Sequence, residues 1–484
     1  TSNNTTLSPR QHMKIGTVLS GITGRAARLT AIALVVTLSA CDTQKILQVT
    51  DPDVARPDAF TGASALPALY AGAVGSFGSA FDGPGGDWQQ VQLSATLSDE
   101  FINTETFPTR IESDQRAQTI TNTSLGPLFL TLNQARAAAE RAVNAFKSLA
   151  QTKADSTGYA ESLALNGMVY VLFAENYCGS VPTSVQNPDG SFTFGVGLTT
   201  DQLSDSAISK FNQATTDGGS SLTASIKSLA AIGLGRALLD KGDFAGAAAA
   251  VDGVSTTFQY VYTHSQTSGG QNNGTWALTS NVARFGEADR KGTNGLPYAS
   301  DGDIKVKGAA ADPRVADSVR AGTGLGFDGF TKQFVQTKYP ARTSSSVIAD
   351  GVEARLIEAE AALQGGSPGN ALTILNALRS NAAWLALRGY PANSLPPLTL
   401  QATASAQRDQ LFKERAYWLY LTSHRLGDMR RLIRQYGLGS EQVFPTGIYV
   451  HNGGNYGTDV NTPVPQAEQN NPSYVAGSCK QNEA

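Results

Sequence analysis

The sequence predicts a mostly α-helical fold: tetratricopeptide-like helical hairpins that form a scaffold and carry a long loop-rich segment. Three observations lead there. Apolar residues recur at helical spacing in segments spread along the chain. Two stretches, LLDKGDFAGAAAAVDGV and ALQGGSPGNALTILNALR, share a plan of helix, glycine-bearing turn and Ala-rich second helix, the unit of a helical-hairpin array. Between them, residues 255–345 lack the helical period and are rich in Gly, Asn, Ser and Thr. A segment that long without periodicity is often functional when ordered.

In chain order, Met13 and Lys14 open a stretch with Arg25 and Arg28, followed by LTAIALVVTLSA and Cys41. The apolar run, Leu29 to Ala40, is too short to span a bilayer, which takes about 20 residues. A basic start, a short apolar middle and a small-residue end predict a secretory signal over residues 1–40, with 1–12 an over-extension ahead of Met13. Residues 41–56 read as a tether. Helical periodicity then predicts helices over 60–74, 125–150, 159–177, 201–216 and 223–241, and over 346–364, 370–380 and 404–436, the last as one or two helices. Residues 75–90 are glycine-rich and read as irregular. The globular part is expected to run from 57 to 484.

Composition narrows the function. Lys plus Arg is 37 and Asp plus Glu is 40, with no basic stripe, so nucleic acid is not an expected partner. Charged residues make up only 16%, which suits an uncharged polar surface on an exported protein. Gly324 to Gly329 spells the dinucleotide fingerprint, but FTKQFVQTKY after it reads as a strand and not as the helix that a pyrophosphate needs. Gly365-Gly366-Ser367-Pro368-Gly369 spells the hydrolase elbow, but a helix precedes it where a strand is required. His12, His264, His424 and His451 show no metal-ligand spacing, so neither a metal nor a cofactor is expected. No catalytic constellation emerges, and the chain is not expected to be an enzyme. In LFKERAYWLYLTSHRLGDMRRLIRQYG, the residues Glu414, Trp418, Leu421, Arg425 and Asp428 recur at steps of three or four. That spacing predicts a partly buried ion network that fixes the packing of the segment.

The same segment resembles the C-terminal signature of the SusD/RagB family of nutrient-uptake lipoproteins. Glu414-Arg415, Leu419, Arg425, Asp428 and Arg431 match it; Trp418, Thr422 and Ser423 depart from the usual Glu, Glu and Gly, and Met429 replaces Leu. CDTQKILQVTDPDVARPDAF resembles the family's start, and AESLALNGMVYVLFAENYCGSVPTS its helix ending in a G-x-V-P turn. Asp312-Pro313-Arg314-Val315 resembles a recurring element, and Thr462-Pro-Val-Pro-Gln466-Ala-Glu468 with Asn471-Pro472 resembles the family's close. Leu38-Ser39-Ala40-Cys41 resembles a lipobox, which implies lipidation of Cys41. The family resemblance implies a SusD-like fold and a lipid-anchored place on the outer membrane, facing the cell exterior. It also implies a SusC-type TonB-dependent transporter as partner and an oligosaccharide, or in some branches a peptide, as ligand. An exported hydrolase on a helical scaffold and a scaffold that binds protein only are the readings from other classes.

The expected ligand surface uses Trp88, Trp276 and Tyr298 on the two glycine-rich regions, because flat rings suit the apolar C–H faces of sugars. Asn272, Asn273 and Arg284 would add hydrogen bonds. The competing reading is that these rings pin loops onto the helices. Cys178 and Cys479, the two cysteines left once Cys41 is lipidated, are expected to pair in an oxidising compartment, with two unpaired thiols as the alternative.

Overall fold

The computed structural model describes residues 62–83, 88–149, 156–187, 191–218 and 222–484. The expected signal segment, Cys41 and the expected tether lie outside the described residues. Helices of six or more residues are α1 (Leu66–Asp82), α2 (Gln90–Leu97), α3 (Pro108–Asp114), α4 (Leu125–Leu149), α5 (Ser156–Asn176), α6 (Thr200–Asp217), α7 (Ala224–Asp240) and α8 (Phe244–Val251). They continue with α9 (Gly351–Gln364), α10 (Pro368–Ser380), α11 (Ala382–Leu387), α12 (Ala404–Trp418) and α13 (Arg425–Arg434). Helix α1 packs on α4, and from α4 to α10 each helix packs on the next in sequence. This is the hairpin array that the two glycine turns predict.

The turns work as their residues dictate. Helix α7 ends at Asp240, Gly242 takes φ +77°, and Asp243 caps α8 by accepting from the Gly246 N–H at 2.9 Å. Helix α9 ends at Gln364, Gly366 takes φ +75°, and Pro368 opens α10 at the first helical position, where its missing N–H costs nothing. Small residues set the helix spacing. A Cβ at Gly167 of α5 would stand 2.7 Å from the ring of Phe211 on α6, and one at Gly233 of α7 would clash with the same ring. Phe211 is fully buried in the groove these two glycines leave.

Among the described residues, ten short strands form five antiparallel pairs. They are β1 (Phe101–Asn103), β2 (Val181–Pro182), β3 (Val185–Gln186), β4 (Phe192–Thr193), β5 (Gly197–Leu198), β6 (Gln259–Tyr262), β7 (Phe285–Glu287), β8 (Asp317–Val319), β9 (Phe334–Gln336) and β10 (Ser346–Asp350), paired β1–β7, β2–β5, β3–β4, β6–β10 and β8–β9. The segment 255–345 therefore consists of short strands and helical turns laid against the hairpins. The largest apolar cluster joins α1, α2 and α4–α8 to residues of this segment, among them Leu278, Phe285 and Tyr298.

Two element boundaries differ from the sequence reading, and the segment expected as one or two helices resolves into two. Residues 75–82 are helical, and Gly78 serves a close approach and not a loop: a Cβ there would clash with the Tyr262 ring on β6. Residues 346–350 are strand β10, paired with β6, and α9 starts only at Gly351. The 404–436 segment breaks into α12 and α13, with Leu421 at φ +53° and Ser423 at φ +61° between them.

That break redistributes the expected ion network without abolishing it. On α12, buried Glu414 accepts from Arg314 at 2.6 Å, Arg379 at 2.7 Å and the Trp418 indole at 3.1 Å. On α13, Arg425 grips Asp99 at 2.6 and 2.9 Å, and Asp428 accepts from Arg415 and Arg431. Burial alone would raise the Asp428 carboxyl, but Arg415 and Arg431 outweigh it and hold it below the usual range. Cys178, just after α5, is disulfide-bonded to Cys479, with Cα atoms 5.1 Å apart. Among the described residues no helix is long and apolar enough to cross a membrane.

Candidate ligand-binding site

The structure separates the six residues expected at the ligand surface. Trp88, Tyr298 and Asn273 are buried, so they do not present a surface to a ligand. Trp88 stacks on Phe285 inside the main core. Tyr298 lies between Tyr417 and Tyr420, with ring centroids 5.3 and 5.4 Å away. Asn273 caps a short helical turn by accepting from the Trp276 N–H at 2.7 Å, and donates to Asp82 at 2.8 Å. Asn272 and Trp276 are half-buried, and Trp276 packs against the core with Arg342 5.5 Å from its ring. For the rings the physical reason is common: a large ring gains most by leaving water.

Arg284 alone stands beside exposed rings. It precedes β7, and its guanidinium sits 4.7 Å from the Phe107 ring centroid and 4.5 Å from that of Phe327. Phe107 is 47%, Phe327 52% and Phe330 59% exposed. The carboxylate of buried Glu105 anchors the cation, accepting from Arg284 at 2.8 Å and from Arg110 at 3.3 Å. Arg110 also lies 5.6 Å from the Phe107 centroid. Guanidiniums attract aromatic faces, and Phe107 and Phe327 each stay about half open to solvent.

Local chemistry places these side chains. Phe107 follows β1 and immediately precedes α3, whose first residue is Pro108. Phe327 and Phe330 belong to the turn between β8 and β9. Asp328 shapes that turn by accepting from the N–H groups of Phe330 and Thr331, both at 3.0 Å, while Gly329 takes φ +77°. Backbone bonds of 2.9 Å fasten the three loops together: Thr104 N–H to the Arg284 carbonyl, Phe327 N–H to the Ala283 carbonyl, and Asp328 N–H to the Thr104 carbonyl. Gly326 permits this approach, since a Cβ there would stand 2.8 Å from Thr104 Oγ1. His451 joins from the C-terminal segment, packing edge-on against Phe330 at 5.5 Å. The letters that spell a nucleotide fingerprint thus build an aromatic-bearing turn with no helix after it.

The arrangement offers flat apolar faces beside fixed N–H donors, which suits a ring that has apolar faces and hydroxyl edges. Sequence reasoning singled out Arg284 and assigned no binding role to Phe327 or Phe330. It missed Phe107, whose sequence neighbourhood carries no glycine or repeat. Among the described residues, no group of three or more His, Cys, Asp or Glu is placed to hold a metal ion.

Comparison with solved structures places this architecture. Surface glycan-binding protein A from Bacteroides uniformis superimposes with a TM-score of 0.61 at 13% identity, over 86% of this chain and 100% of that one. A SusD superfamily protein from Bacteroides thetaiotaomicron gives 0.61 at 14% identity, over 85% and 99%. A laminarin-binding SusD-like protein gives 0.56 at 16% identity, over 86% and 99%. The fold defines a class of helical-hairpin scaffolds with a loop-bearing second part. Within that class, the chain has the SusD-like fold. No family model matches the sequence, and neither does any curated protein.

Proposed function

We propose that the protein is a SusD/RagB-type surface lipoprotein that binds oligosaccharides without transforming them and delivers them to a SusC-type TonB-dependent transporter. The observation that carries the binding role is the exposed Phe107–Arg284–Phe327 stack, with exposed Phe330 on the same turn as Phe327, held on loops that are already fastened to one another. Fixed rings lose little freedom when a sugar stacks on them, so more of the contact energy appears as affinity. The SusD-like fold supports the same reading, because two of the similar structures are described as glycan-binding and laminarin-binding proteins. Cys41, beyond the described residues, is the proposed lipid attachment, and several acyl chains at about 0.8 kcal/mol per buried CH₂ would hold the chain on the outer membrane, facing outward. The ligand class is tested by calorimetric titration with laminarin and other oligosaccharides beside a peptide panel. Phe327→Ala is expected to weaken oligosaccharide binding by 1 kcal/mol or more, about the usual hot-spot threshold, with little change in melting temperature. Unaltered oligosaccharide affinity in that variant overturns the site, and binding of peptides alone moves the protein to the peptide-binding branch. Co-purification of a barrel partner, and release of a Cys41→Ala variant from the outer membrane, test the assembly and the anchor.

A further inference from the structure

Away from the aromatic cluster, a cavity of about 440 Å³ lies beside the Cys178–Cys479 disulfide. Its wall carries Arg430 and Arg434, one helical turn apart on α13, together with Lys480 and the first turn of α6 at Thr200. Arg430 is 1% exposed. One of its nitrogens is spent on the carbonyls of Ala174, Glu175 and Tyr177 at the end of α5, and another lies 3.5 Å from Thr200 Oγ1, while its Nε has no partner. Neither Arg430 nor Arg434 forms an ion pair with a carboxylate among the described residues, in contrast to Arg415, Arg425 and Arg431 on the same two helices. The acidic residues of the cavity, Asp201 and Glu483, are exposed at its rim.

Two guanidiniums placed this way repel each other. Burial, and then Arg434, lower the Arg430 guanidinium to about 9. A helix of 18 residues directs its N-terminus at the same space, adding the positive end of its dipole. Buried Asp240 and Glu175 act on both guanidiniums from a distance, but neither makes an ion pair with them, and buried cations are ordinarily paired in contact, so the contacting partner absent from this wall is an anion. We infer that the cavity is a binding site for a tetrahedral oxyanion, sulfate or phosphate, taken up free or as an ester on a sugar, with Arg430, Arg434 and Lys480 as its cationic ligands. The site is distinct from the aromatic stack, and its success or failure leaves the oligosaccharide reading untouched.

The test titrates the purified chain with sodium sulfate, sodium phosphate and sodium chloride at matched ionic strength, and follows both binding heat and melting temperature. Sulfate and phosphate stabilise many proteins by exclusion from the surface, so the informative quantity is the difference between the wild type and Arg434→Gln. The wild type is expected to gain melting temperature with the logarithm of oxyanion concentration beyond what chloride gives. In Arg434→Gln the affinity is expected to fall about tenfold or more, the scale of one charge-assisted hydrogen bond. The same variant is expected to melt higher than the wild type in anion-free buffer, because the repulsion on Arg430 is relieved. Lys480→Gln, on the exposed rim, repeats the test with no burden on folding. A sulfated oligosaccharide and its desulfated form make the second arm: binding of the sulfated form alone assigns the site to an ester on a sugar. Equal responses of wild type and both variants in every arm, or no response beyond chloride, overturn the inference.

Discussion

Trp88 and Phe327 are both large rings with glycines close by in sequence, yet one is 3% and the other 52% exposed. What separates them is a partner distant in the chain. Trp88 meets Phe285, while Phe327 meets the guanidinium of Arg284, which Glu105 ties to the surface. Neither partner is legible from local sequence, so glycine-flanked aromatics marked loops near function without saying which ring faces out. Arg284 was legible as a polar group in the right region, and its exposed partners were not. The assignment has a direct consequence for stability. Trp88→Ala is expected to cost about 3–5 kcal/mol, the usual range for a buried aromatic, with oligosaccharide affinity per folded molecule unchanged. Urea denaturation beside titration checks it, and a change in affinity without a stability loss would count against the core placement.

At the scale of elements, the hairpins were legible because helix periodicity and Gly-Asp or Gly-Ser-Pro turns are local chemistry. Residues 75–82 were misread because glycine signals both a turn and a close approach, and only the Tyr262 ring packed over Gly78 tells which. That 404–436 could form two helices was legible, but the place of the break after α12 was not. The apolar and charged spacing of 411–437 continues through it, while Leu421 and Ser423 take left-handed backbone angles that no glycine announces. Surrounding contacts hold them there: the Leu421 N–H donates to Glu100 at 3.0 Å, and the Ser423 carbonyl accepts from Arg236 at 2.7 Å. The packing of α5, α6 and α7 on Phe211 gives an element-scale expectation. Gly233→Ala should overpack the groove and cost about 1–3 kcal/mol, and Phe211→Leu in the same chain should recover part of the loss. If the double variant is as unstable as the sum of the singles, the shared groove is not the cause.

Across the whole molecule, charge is stored in the interior on both sides of neutrality, and pH reads it out. Burial, with Asp303 and Asp289 nearby, pushes the Asp317 carboxyl up to about 7, and burial pushes Glu100 up to about 8. An unfolded aspartate releases its proton near pH ~3.9, so between ~4 and ~7 the native state holds a proton that the unfolded chain has lost. The contribution of Asp317 to stability is therefore full below ~4 and lost as the pH rises through about 7. Buried His264 and His424, held down by burial, act in the opposite direction, so the measurement is a difference. The melting temperature of Asp317→Asn minus that of the wild type should grow from pH ~4 to ~7, and a flat difference would refute the placement. The disulfide has a consequence of another kind. It closes a ring over a sequence separation of 301, so a single backbone cut inside the ring yields no separate fragments. Lys305 sits on an exposed turn between Ile304 and Val306, which are 65% and 79% exposed, and a single tryptic cut there should leave one band in denaturing gels without reductant and two with it. Phe107 lies before that cut and Phe327 after it, so a chain clipped once by a protease keeps both halves of its aromatic stack in one covalent molecule.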